Sequence, residues 1–468
     1  MLTRLEIGGF KTFDSFAIDV PPFLGVIGPN ASGKSNLFDA IQFLRRLTEF
    51  NLTVALRDAR GELDDLFRRR GDGSTVQSMY VNIEVLLNPR VRDSWGTEVE
   101  LTQTRMRYEL TLVHRTDDEG NVRLFVEQER AEPIRKSHDR WIKRFNPSAE
   151  FIEAYVRDGR RTSPFLETVT EGRRRSFKTR QDGVAGRARP AEAAEATVLS
   201  SMNSAEFKHL YALREEILSW RFLQLDPMSL RLPGEKFGEE RLEPTGGNLA
   251  RVLHRIQVET ASEDRPLGSL SDISSDMGSL IEGVRSVSVV ENDQTKKWEI
   301  LLRSIDEGTY SSSVASDGTL RVLALLAALY DPTYRGLICF EEPENGVHPL
   351  RLRTLVAYLR ELVADLHDVQ PDPAVGLAQM LVNSHSPVVL SAVADDEAVV
   401  LDSATLVERT ESGPVRSRVS RVRRVYRKEQ MDLPLEEIRD LVDRSEIERF
   451  TAAALLDERA TADDGILN

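Results

Sequence analysis

The feature that most constrains the fold of this chain is an eight-residue segment near its beginning, Gly28-Pro29-Asn30-Ala31-Ser32-Gly33-Lys34-Ser35. Its spacing fits the pattern G-x-x-x-x-G-K-[ST]. The apolar run at 23–27 precedes it and is long enough for one buried parallel strand. Leu37, Ile41 and Leu44 recur at helical spacing after it, so a helix is predicted to begin at about Lys34. The sequence therefore predicts a strand, a tight loop and a helix in this order.

A loop between a strand and a helix N-terminus directs several backbone N–H groups at one point, and the helix dipole adds positive potential there. Glycine lets the backbone approach a phosphate closely. The Lys34 side chain is predicted to reach the β- and γ-phosphates of ATP, and the Ser35 hydroxyl is predicted to bind Mg²⁺. The residues predicted to bind the nucleotide here are Gly28, Pro29, Asn30, Ala31, Ser32, Gly33, Lys34, Ser35 and Asn36. The alternative is a glycine-rich turn that matches the pattern by chance, and the flanking strand and helix argue against it.

Composition excludes several classes of protein. Of the 468 residues, 40% are hydrophobic and 29% are charged, which is typical of a globular protein. The only cysteine is Cys339, which excludes a disulfide framework and a cysteine-based zinc site. The net charge of −14, from 62 basic and 76 acidic side chains, gives no global attraction for nucleic acid. No apolar run approaches the roughly 20 residues that span a bilayer, and the first residues lack the apolar segment of a signal peptide, so we expect a cytoplasmic protein without a membrane partner.

A second segment, 314–329, predicts another helix terminus that favours an anion. A short loop leads into an Ala/Leu-rich helix that is apolar enough to be buried. Ser316 and Gly318 lie where this helix is predicted to begin, so backbone N–H groups and the helix dipole are available there. We therefore add Ser316, Asp317 and Gly318 to the predicted nucleotide-binding residues.

Two carboxylates, Glu341 and Glu342, directly follow a buried apolar strand predicted at 337–340. Carboxylates at such a position are costly unless something pairs with them. A Mg²⁺ ion beside the phosphate loop is the natural partner of Glu341, and Glu342 is predicted to orient or deprotonate the attacking water. His385 follows another apolar strand and is predicted to contact the γ-phosphate or the water. The alternatives are a solvated acidic turn and a structural histidine. The residues predicted to act in catalysis are Lys34, Glu342 and His385.

Two stretches of the chain are strongly basic. Between residues 157 and 189 there are ten basic and four acidic residues, and between 415 and 428 there are seven basic residues and no acidic one. A solvated surface is one interpretation, and a surface that contacts nucleic acid phosphates or an acidic partner is the other. Residues 432–458 are expected to form one or two amphipathic helices. The side chains expected to anchor an arginine-bearing strand in the second stretch are Val415, Val419, Val422 and Val425.

Together these segments resemble the ABC-type ATPase heads of the SMC, RecF and OLD-like group. The correspondence pairs 28–35 with the Walker A motif, 316–321 with the signature loop, 337–342 with Walker B, 344–349 with the D-loop region and 384–387 with the switch histidine. The pattern SDGTLR … EEPENGxHP … HSP is similar to that of stand-alone AAA_21-like ATPases, many of which are found in bacterial anti-phage systems. These motifs cover about residues 1–50 and 310–390.

The resemblance implies a fold class, cofactors and a partner. The fold is expected to be α/β, a P-loop NTPase of the ABC/SMC-head type, with a mixed central sheet, flanking helices, an antiparallel β subdomain and a helical insertion. In such heads two copies enclose two ATP molecules, so Ser316 and Gly318 are expected to act on the nucleotide of a second copy. Glu341 stands where this group usually has an aspartate. Gln224 is assigned to the Q-loop as a ligand of Mg²⁺, in preference to Gln42.

The predicted organisation has five consecutive segments. They are an ATPase lobe with Walker A and a β subdomain (1–131), a basic insertion or linker (132–200), a helical and β segment (201–310), a second ATPase lobe with the remaining motifs (311–410), and a basic strand with a C-terminal helical tail (411–468).

Two functions of different classes remain open. The first is a slow ATPase switch that dimerises head to head, or forms a higher oligomer, and controls a separate effector such as a nuclease or toxin in a bacterial defence-type system. The second is a DNA-engaging RecF/SMC-like ATPase in DNA repair or maintenance. A transporter subunit is disfavoured because a long interval separates Ser35 from Ser316. The sequence also lacks the heptad runs of the long coiled-coil arms found in complete SMC proteins.

Overall fold

Two structural units are formed by stretches that are not consecutive in the sequence. The first lies within Met1–Trp220, Val363–Gln379 and Asp395–Glu446, and the described part of the second lies within Arg221–Leu362 and Met380–Ala394. The finer division into five consecutive segments stays a prediction. The computed structural model describes residues 1–57, 59–116, 122–181, 184–306, 308–334, 336–345, 347, 349–368, 372, 376–410, 413–426 and 441–443.

The strands of these residues are β1 (Leu2–Gly8), β2 (Phe16–Asp19), β3 (Phe23–Ile27), β4 (Ser78–Leu86), β5 (Arg90–Arg92), β6 (Glu98–Glu100), β7 (Arg105–Thr116), β8 (Val122–Pro133), β9 (Leu166–Glu171), β10 (Arg174–Gln181), β11 (Val184–Pro190), β12 (Arg221–Leu223), β13 (Val284–Glu291), β14 (Trp298–Ser304), β15 (Gly308–Ser311), β16 (Gly336–Glu341), β17 (Ala378–Ser384), β18 (Ala398–Thr410), β19 (Gly413–Tyr426) and β20 (Leu441–Asp443).

The α-helices are α1 (Lys34–Glu49), α2 (Leu52–Arg57), α3 (Leu63–Leu66), α4 (Arg140–Phe145), α5 (Ala149–Tyr155), α6 (Lys208–Leu218), α7 (Pro227–Leu230), α8 (Leu249–Thr260), α9 (Leu270–Leu280), α10 (Asp317–Leu329), α11 (Pro349–Glu361) and α12 (Pro387–Ala392).

The strand before the phosphate loop, β3, is buried along its whole length. It pairs in parallel with β18, with Val26 opposite Val399. Strand β18 pairs antiparallel with β19, and β20 lies parallel to β19. A wholly apolar strand with a parallel neighbour is the arrangement predicted from the run at 23–27. Helix α1 begins at Lys34, as predicted, buries Leu37, Ile41 and Leu44, and packs against α6.

The first unit also contains an eight-stranded antiparallel sheet in the order β11-β10-β9-β8-β7-β4-β1-β2. Three of its strands, β9, β10 and β11, lie within the predicted basic insertion, where the sequence did not show them. The reason is a period of two that the arginines conceal: β10 buries Phe177, Thr179 and Gln181 and leaves charged side chains between them.

The second unit holds the other predicted buried strand and the apolar helix. Strand β12 pairs in parallel with β16, with Phe222 opposite Cys339, and β17 is the next strand in the order. Every residue of β16 before Glu341 is buried. Helix α10 buries nearly all of its residues, as its Ala/Leu composition predicts. The hairpin predicted near 287–305 is formed by β13 and β14, and β15 extends it.

The predicted arginine-bearing strand of the tail is β19, but its anchors are serines. Ser417 and Ser420 are buried, whereas Val415, Val419 and Val422 are only half-buried. The valines thus keep partly buried positions, and polar groups of the first unit contact the two buried serines.

One of these polar groups is Glu408 on β18, which accepts a hydrogen bond of 3.0 Å from the Ser417 hydroxyl. The buried guanidinium of Arg68 donates to both oxygens of Glu408, at 2.7 and 2.6 Å. These charge-assisted bonds lower the pKa of Glu408 to about 2. The backbone N–H of Gly71 donates to the Ser417 hydroxyl at 3.2 Å. Strand β19 is thus fixed to the first unit by a hydrogen-bonded polar cluster.

The expected amphipathic helices at 432–458 are wrong for the three residues described there. Residues 441–443 form β20, which pairs with β19 instead of continuing a helix. The remainder of 432–458 lies outside the described residues.

A fully buried carboxylate, Glu129 on β8, joins the antiparallel sheet to the turn at 197–199. It accepts hydrogen bonds from the Tyr108 hydroxyl (2.9 Å), the N–H of Val198 (2.6 Å) and the N–H of Leu199 (2.9 Å). The neighbouring Thr197 hydroxyl donates to the carbonyl of Leu47 in α1 at 2.9 Å. Burial outweighs these hydrogen bonds and raises the pKa of Glu129 to about 7.

The raised pKa of Glu129 predicts a loss of stability on going from mildly acidic to alkaline solution. The folded state holds this proton more tightly than the unfolded state, in which the pKa is about 4.5, so stability falls as the pH rises from about 4.5 through about 7, by roughly 3 kcal/mol. In Glu129→Gln this slope should disappear, whereas Glu98→Gln, at an exposed strand position, should keep it. Urea unfolding followed across this pH range is the measurement, and parallel curves for Glu129→Gln and the wild type would contradict the prediction.

Candidate functional site

The predicted phosphate loop runs from the end of β3 to the start of α1 and turns sharply twice. Ala31 has φ of 61° and Gly33 has φ of 104°, both in the left-handed region. A Cβ at position 33 would overlap the hydroxyl of Ser420, and a Cβ at position 28 would overlap the carbonyl of Leu401. The two glycines of the motif therefore stand where the backbone turns and where neighbouring strands approach it most closely.

The Lys34 ammonium lies inside the curve of this loop. It donates hydrogen bonds to the carbonyls of Gly28 (2.6 Å) and Pro29 (3.0 Å), and the residue is only 8% exposed. The buried Ser32 hydroxyl makes no hydrogen bond within the described residues. A buried cation and a buried hydroxyl at one glycine-rich turn fit a phosphate group, which would accept from both. Pro29, Asn30, Ala31 and Ser35 are exposed around them.

A chain of hydrogen bonds connects the loop to β19. The Asn36 amide donates to the Thr12 hydroxyl at 2.9 Å, Thr12 and Ser420 share a bond of 2.7 Å, and Ser420 donates to the carbonyl of Ser32 at 2.7 Å. The Ser420 hydroxyl donates its only proton to the carbonyl of Ser32, so the Thr12 hydroxyl is the donor in the bond between Thr12 and Ser420. Thr12 and Ser420 were not predicted, and no pattern in the sequence links them to the loop.

In the second unit, the predicted signature residues lie at the start of α10. The Ser316 hydroxyl caps the helix by accepting from the N–H of Thr319 at 3.2 Å, and Gly318 is buried. Arg231 donates to the Asp317 carboxylate at 2.6 Å and to the carbonyl of Ala315 at 2.8 Å. The signature loop is therefore fixed from both sides of Ser316.

Gln224 lies just after β12 and is exposed. Its backbone N–H donates to the carbonyl of Pro244 at 3.0 Å. Its assignment as a Mg²⁺ ligand stays a prediction. Among the described residues, no group of three or more His, Cys, Asp or Glu side chains is arranged to hold a metal ion by itself.

Glu342 occupies a strained backbone conformation at the end of β16, with φ of 52°. For a residue that is not glycine, this conformation costs about 1–3 kcal/mol and needs support from its surroundings. The support comes from Asn383, whose backbone and side-chain carbonyls both accept from the Glu342 N–H at 3.1 Å. The Asn345 amide also donates to Glu342 Oε2 at 2.6 Å. The half-buried Glu341 precedes it as the last residue of β16.

The structure brings His385 close to the acidic turn within the second unit. Its Nδ1 lies 3.2 Å from Glu344 Oε1 and 3.9 Å from Glu342 Oε1. Glu344 was not predicted as a site residue, although its place in the acidic turn is a signal that sequence reasoning could have used. The predicted pair Glu342 and His385 is thus adjacent. The predicted roles of these residues, and of Lys34, Ser35 and Glu341, stay predictions.

The basic residues at 157–189 are in part neutralised by the sheet that they belong to. Arg175 pairs with Glu127, Lys178 with Glu171, Arg180 with Glu167 and Arg187 with Glu206. These ion pairs favour a solvated surface for this stretch. On β19, by contrast, Arg416 and Arg418 are exposed.

Arg418 also lines a shallow cavity of about 430 Å³ in the first unit. The other residues around this cavity are Lys11, Thr12, Arg60, Asp65, Phe67 and Arg69.

Of the helices that the structure describes, none is long and apolar enough to cross a membrane.

A buried strand, a glycine-rich turn and a helix around Lys34 define the fold of a P-loop NTPase. The family whose model matches residues 23–391 is AAA_21, described as "AAA domain, putative AbiEii toxin, Type IV TA system". Because this match covers most of the chain, the protein belongs to that family. This match confirms the resemblance to AAA_21-like ATPases, and the strand, loop and helix around Lys34 confirm the predicted α/β fold of a P-loop NTPase.

Two curated relatives are chromosome partition proteins named Smc. That of Bordetella petrii is 33% identical over 110 residues, which are 22% of this chain and 9% of the relative. That of Methanocaldococcus jannaschii is 46% identical over 44 residues, which are 9% of this chain and 4% of the relative. The chain therefore matches less than a tenth of the length of these relatives.

Solved structures that are similar to this chain include three SMC heads, each with 13% identity. A head bound to the C-winged helix domain of ScpA covers 90% of this chain and 98% of its own, with a TM-score of 0.43. For the head domain from Thermotoga maritima, the alignment covers 91% of this chain and 99% of that structure, with a TM-score of 0.35. The Pyrococcus furiosus head with an extended coiled coil, bound to the C-terminal domain of ScpA, covers 94% and 99%, with a TM-score of 0.44.

The geometry at Gly33 predicts that alanine there prevents nucleotide binding. Gly33→Ala combines left-handed strain with overlap on the Ser420 hydroxyl, so the loop must move away from its present curve. Gly73→Ala is the matched control, because Gly73 also has positive φ (86°) but a Cβ there would meet nothing within 4 Å. Both variants should lose about 1–2 kcal/mol of stability from the backbone strain, and only Gly33→Ala should lose affinity for a fluorescent ATP analogue. Equal affinities in the two variants would contradict this reasoning.

Proposed function

We propose that this protein binds ATP with Mg²⁺, hydrolyses it slowly, and acts as a switch that dimerises head to head and controls a separate effector protein. The observation that carries the proposal is the buried Lys34 ammonium enclosed by carbonyls of a glycine-rich loop. In this proposal Lys34 contacts the phosphates of the nucleotide, and Glu342 acts on the attacking water.

The binding step uses the first unit. Lys34 exchanges the carbonyls of Gly28 and Pro29 for the β- and γ-phosphates of the nucleotide, which are stronger acceptors because they are charged. Ser35, exposed in the first turn of α1, contributes its hydroxyl to Mg²⁺, and Glu341 and Gln224 complete the proposed protein ligands. The bound Mg²⁺ would neutralise part of the charge on the phosphates.

The hydrolytic step uses the second unit. Asn345 holds one oxygen of Glu342, and Asn383 fixes its backbone, so the carboxylate has a defined direction. Glu342 then orients the attacking water and accepts its proton as a general base. His385, next to Glu342, contacts the γ-phosphate or the water. Ser316 and Gly318 of a second copy would close over the γ-phosphate, which makes the dimer dependent on ATP.

Replacing the proposed base separates binding from hydrolysis. Glu342→Gln should keep ATP bound and slow hydrolysis by about 10² or more, because the amide cannot accept the proton. Lys34→Ala should lose ATP binding itself, and Glu263→Gln, at an exposed position, should behave as the wild type. Equilibrium binding, phosphate release and the mass of the complex with and without ATP are measured on each. Normal turnover in Glu342→Gln would remove Glu342 from the mechanism.

The effector role has its support in the family to which the chain belongs. The family description names a toxin and a type IV toxin–antitoxin system. We propose for this chain a cytoplasmic regulatory part in a bacterial defence-type system, in which the effector is a nuclease or toxin with an acidic surface. Arg416 and Arg418 on β19 are the proposed contact, because they are exposed and belong to a strand that reaches the phosphate loop through Ser420.

The alternative is a DNA-engaging ATPase of DNA repair or maintenance. The same exposed arginines favour it. Arg60 and Arg69, which pair with Asp39 and Asp65, add two more exposed basic side chains around the cavity lined by Arg418. Phosphate contacts of this kind give an affinity that falls steeply with salt.

Charge reversal on β19 distinguishes the two functions. If an effector is bound, Arg416→Glu/Arg418→Glu should lose the complex formed with co-expressed operon products while ATPase activity stays, and neither protein should bind DNA in a salt-sensitive way. If DNA is bound instead, the double variant should lower DNA affinity and its salt slope by about 0.9 for each phosphate contact removed. Arg285→Glu/Arg303→Glu, the same charge change at exposed positions of β13 and β14, is the control. A variant that behaves as this control in both assays would remove β19 from partner binding.

A further inference from the structure

The carboxylate of Glu344 is the point to which the loop carrying His385 is attached. Its Oε1 atom accepts hydrogen bonds from the Ser384 hydroxyl (2.7 Å), the N–H of His385 (3.0 Å) and the N–H of Ser386 (3.2 Å). The imidazole Nδ1 of His385 lies 3.2 Å from the same oxygen. Four groups from three consecutive residues thus converge on one oxygen atom.

The other oxygen of Glu344 shows that this arrangement has a cost. Oε2 is buried and makes no hydrogen bond within the described residues, and the side chain is only 10% exposed. A buried carboxylate oxygen without a donor is unfavourable. The three hydrogen bonds that the loop donates to Oε1 are therefore what holds the side chain in this position.

The two carboxylates beside His385 lie at different distances from its Nδ1 atom. Glu344 Oε1 is within hydrogen-bonding distance of Nδ1, whereas Glu342 Oε1, at 3.9 Å, is not. Glu344 can orient the imidazole while Glu342 stays available for another partner. The side chains of the acidic turn thus have different tasks.

We propose that Glu344 is a positioning residue that fixes both the place and the tautomer of His385. Oε1 already accepts from three donors, so an unprotonated Nδ1 at 3.2 Å from it would be repelled. The proton of the neutral imidazole therefore lies on Nδ1, and Nε2 is the acceptor. The kinetic consequence rests on the proposed ATPase function. The tautomer does not, and it is measurable without any nucleotide.

The first test reads the tautomer directly in the full-length chain. Histidine labelled with ¹⁵N is incorporated, and the signals of His385 among the seven histidines are assigned by their loss in His385→Asn. The wild type should show Nδ1 protonated, and Glu344→Gln should show a shift towards the Nε2-protonated form, because a neutral amide oxygen is a weaker acceptor. Glu263→Gln is the matched control and should keep the wild-type signals. An unchanged His385 tautomer in Glu344→Gln overturns the proposal.

The second test separates positioning from nucleotide binding. Glu344→Gln should lower kcat about ten-fold through misplacement of His385, with KM and ATP affinity within about two-fold of the wild type because the phosphate loop is untouched. A kcat equal to that of Glu263→Gln, or an effect confined to KM, overturns the proposal.

Glu344→Asp provides a second variant in case Glu344→Gln does not fold. It keeps the charge but withdraws the oxygen from the loop, so it should show the same shift of tautomer and the same loss of kcat. A wild-type tautomer or wild-type kcat in Glu344→Asp counts against positioning by this oxygen. If the wild type hydrolyses no ATP, the proposed function fails, and the tautomer measurement alone decides the role of Glu344.

Discussion

The rest of the site depends on one electrostatic constraint: a buried ammonium needs oxygen partners on several sides. Lys34 finds them in the carbonyls of Gly28 and Pro29, which lie close only because the loop between them and α1 turns back on itself. That turn needs positive φ at Gly33, and it needs β18 and β19 to pack against a backbone without side chains. The lysine, the glycines and the neighbouring strands form one interdependent arrangement, and a change in any of them alters the space offered to a phosphate.

A second constraint shapes the end of β16. Glu342 is held in the left-handed region, where a residue with a side chain stays only if its neighbours enforce it. The backbone and side-chain carbonyls of Asn383 both accept from the Glu342 N–H, and the Asn345 amide donates to one oxygen of the Glu342 carboxylate. Asn383 comes from β17, so the backbone conformation of Glu342 depends on tertiary packing. Asn345 lies three residues after Glu342, so the direction of the carboxylate depends on the local turn.

The sequence predicted the parts whose signal is local. The apolar run at 23–27, the helix start at Lys34 and the strand before Glu341 follow from hydrophobic periodicity and motif spacing, and the structure has each of them. It did not predict the strands at 166–190, because arginines between the buried positions of β10 conceal the alternation. Ser420 was missed for a different reason: its importance comes from contacts with segments distant in the chain, which carry no signature in composition or spacing.

The hydrogen bonds from Asn36 through Thr12 and Ser420 to Ser32 make the phosphate loop and β19 parts of one mechanical element. A displacement of β19 by an ångström would break at least one of these bonds or carry the carbonyl of Ser32 with it. A molecule that binds Arg416 and Arg418 and displaces β19 would therefore change the curvature of the phosphate loop. If the molecule changes the affinity of the loop for a nucleotide by some factor, the nucleotide must change the affinity of β19 for that molecule by the same factor. Such coupling would run in both directions through the side chains of Asn36, Thr12 and Ser420.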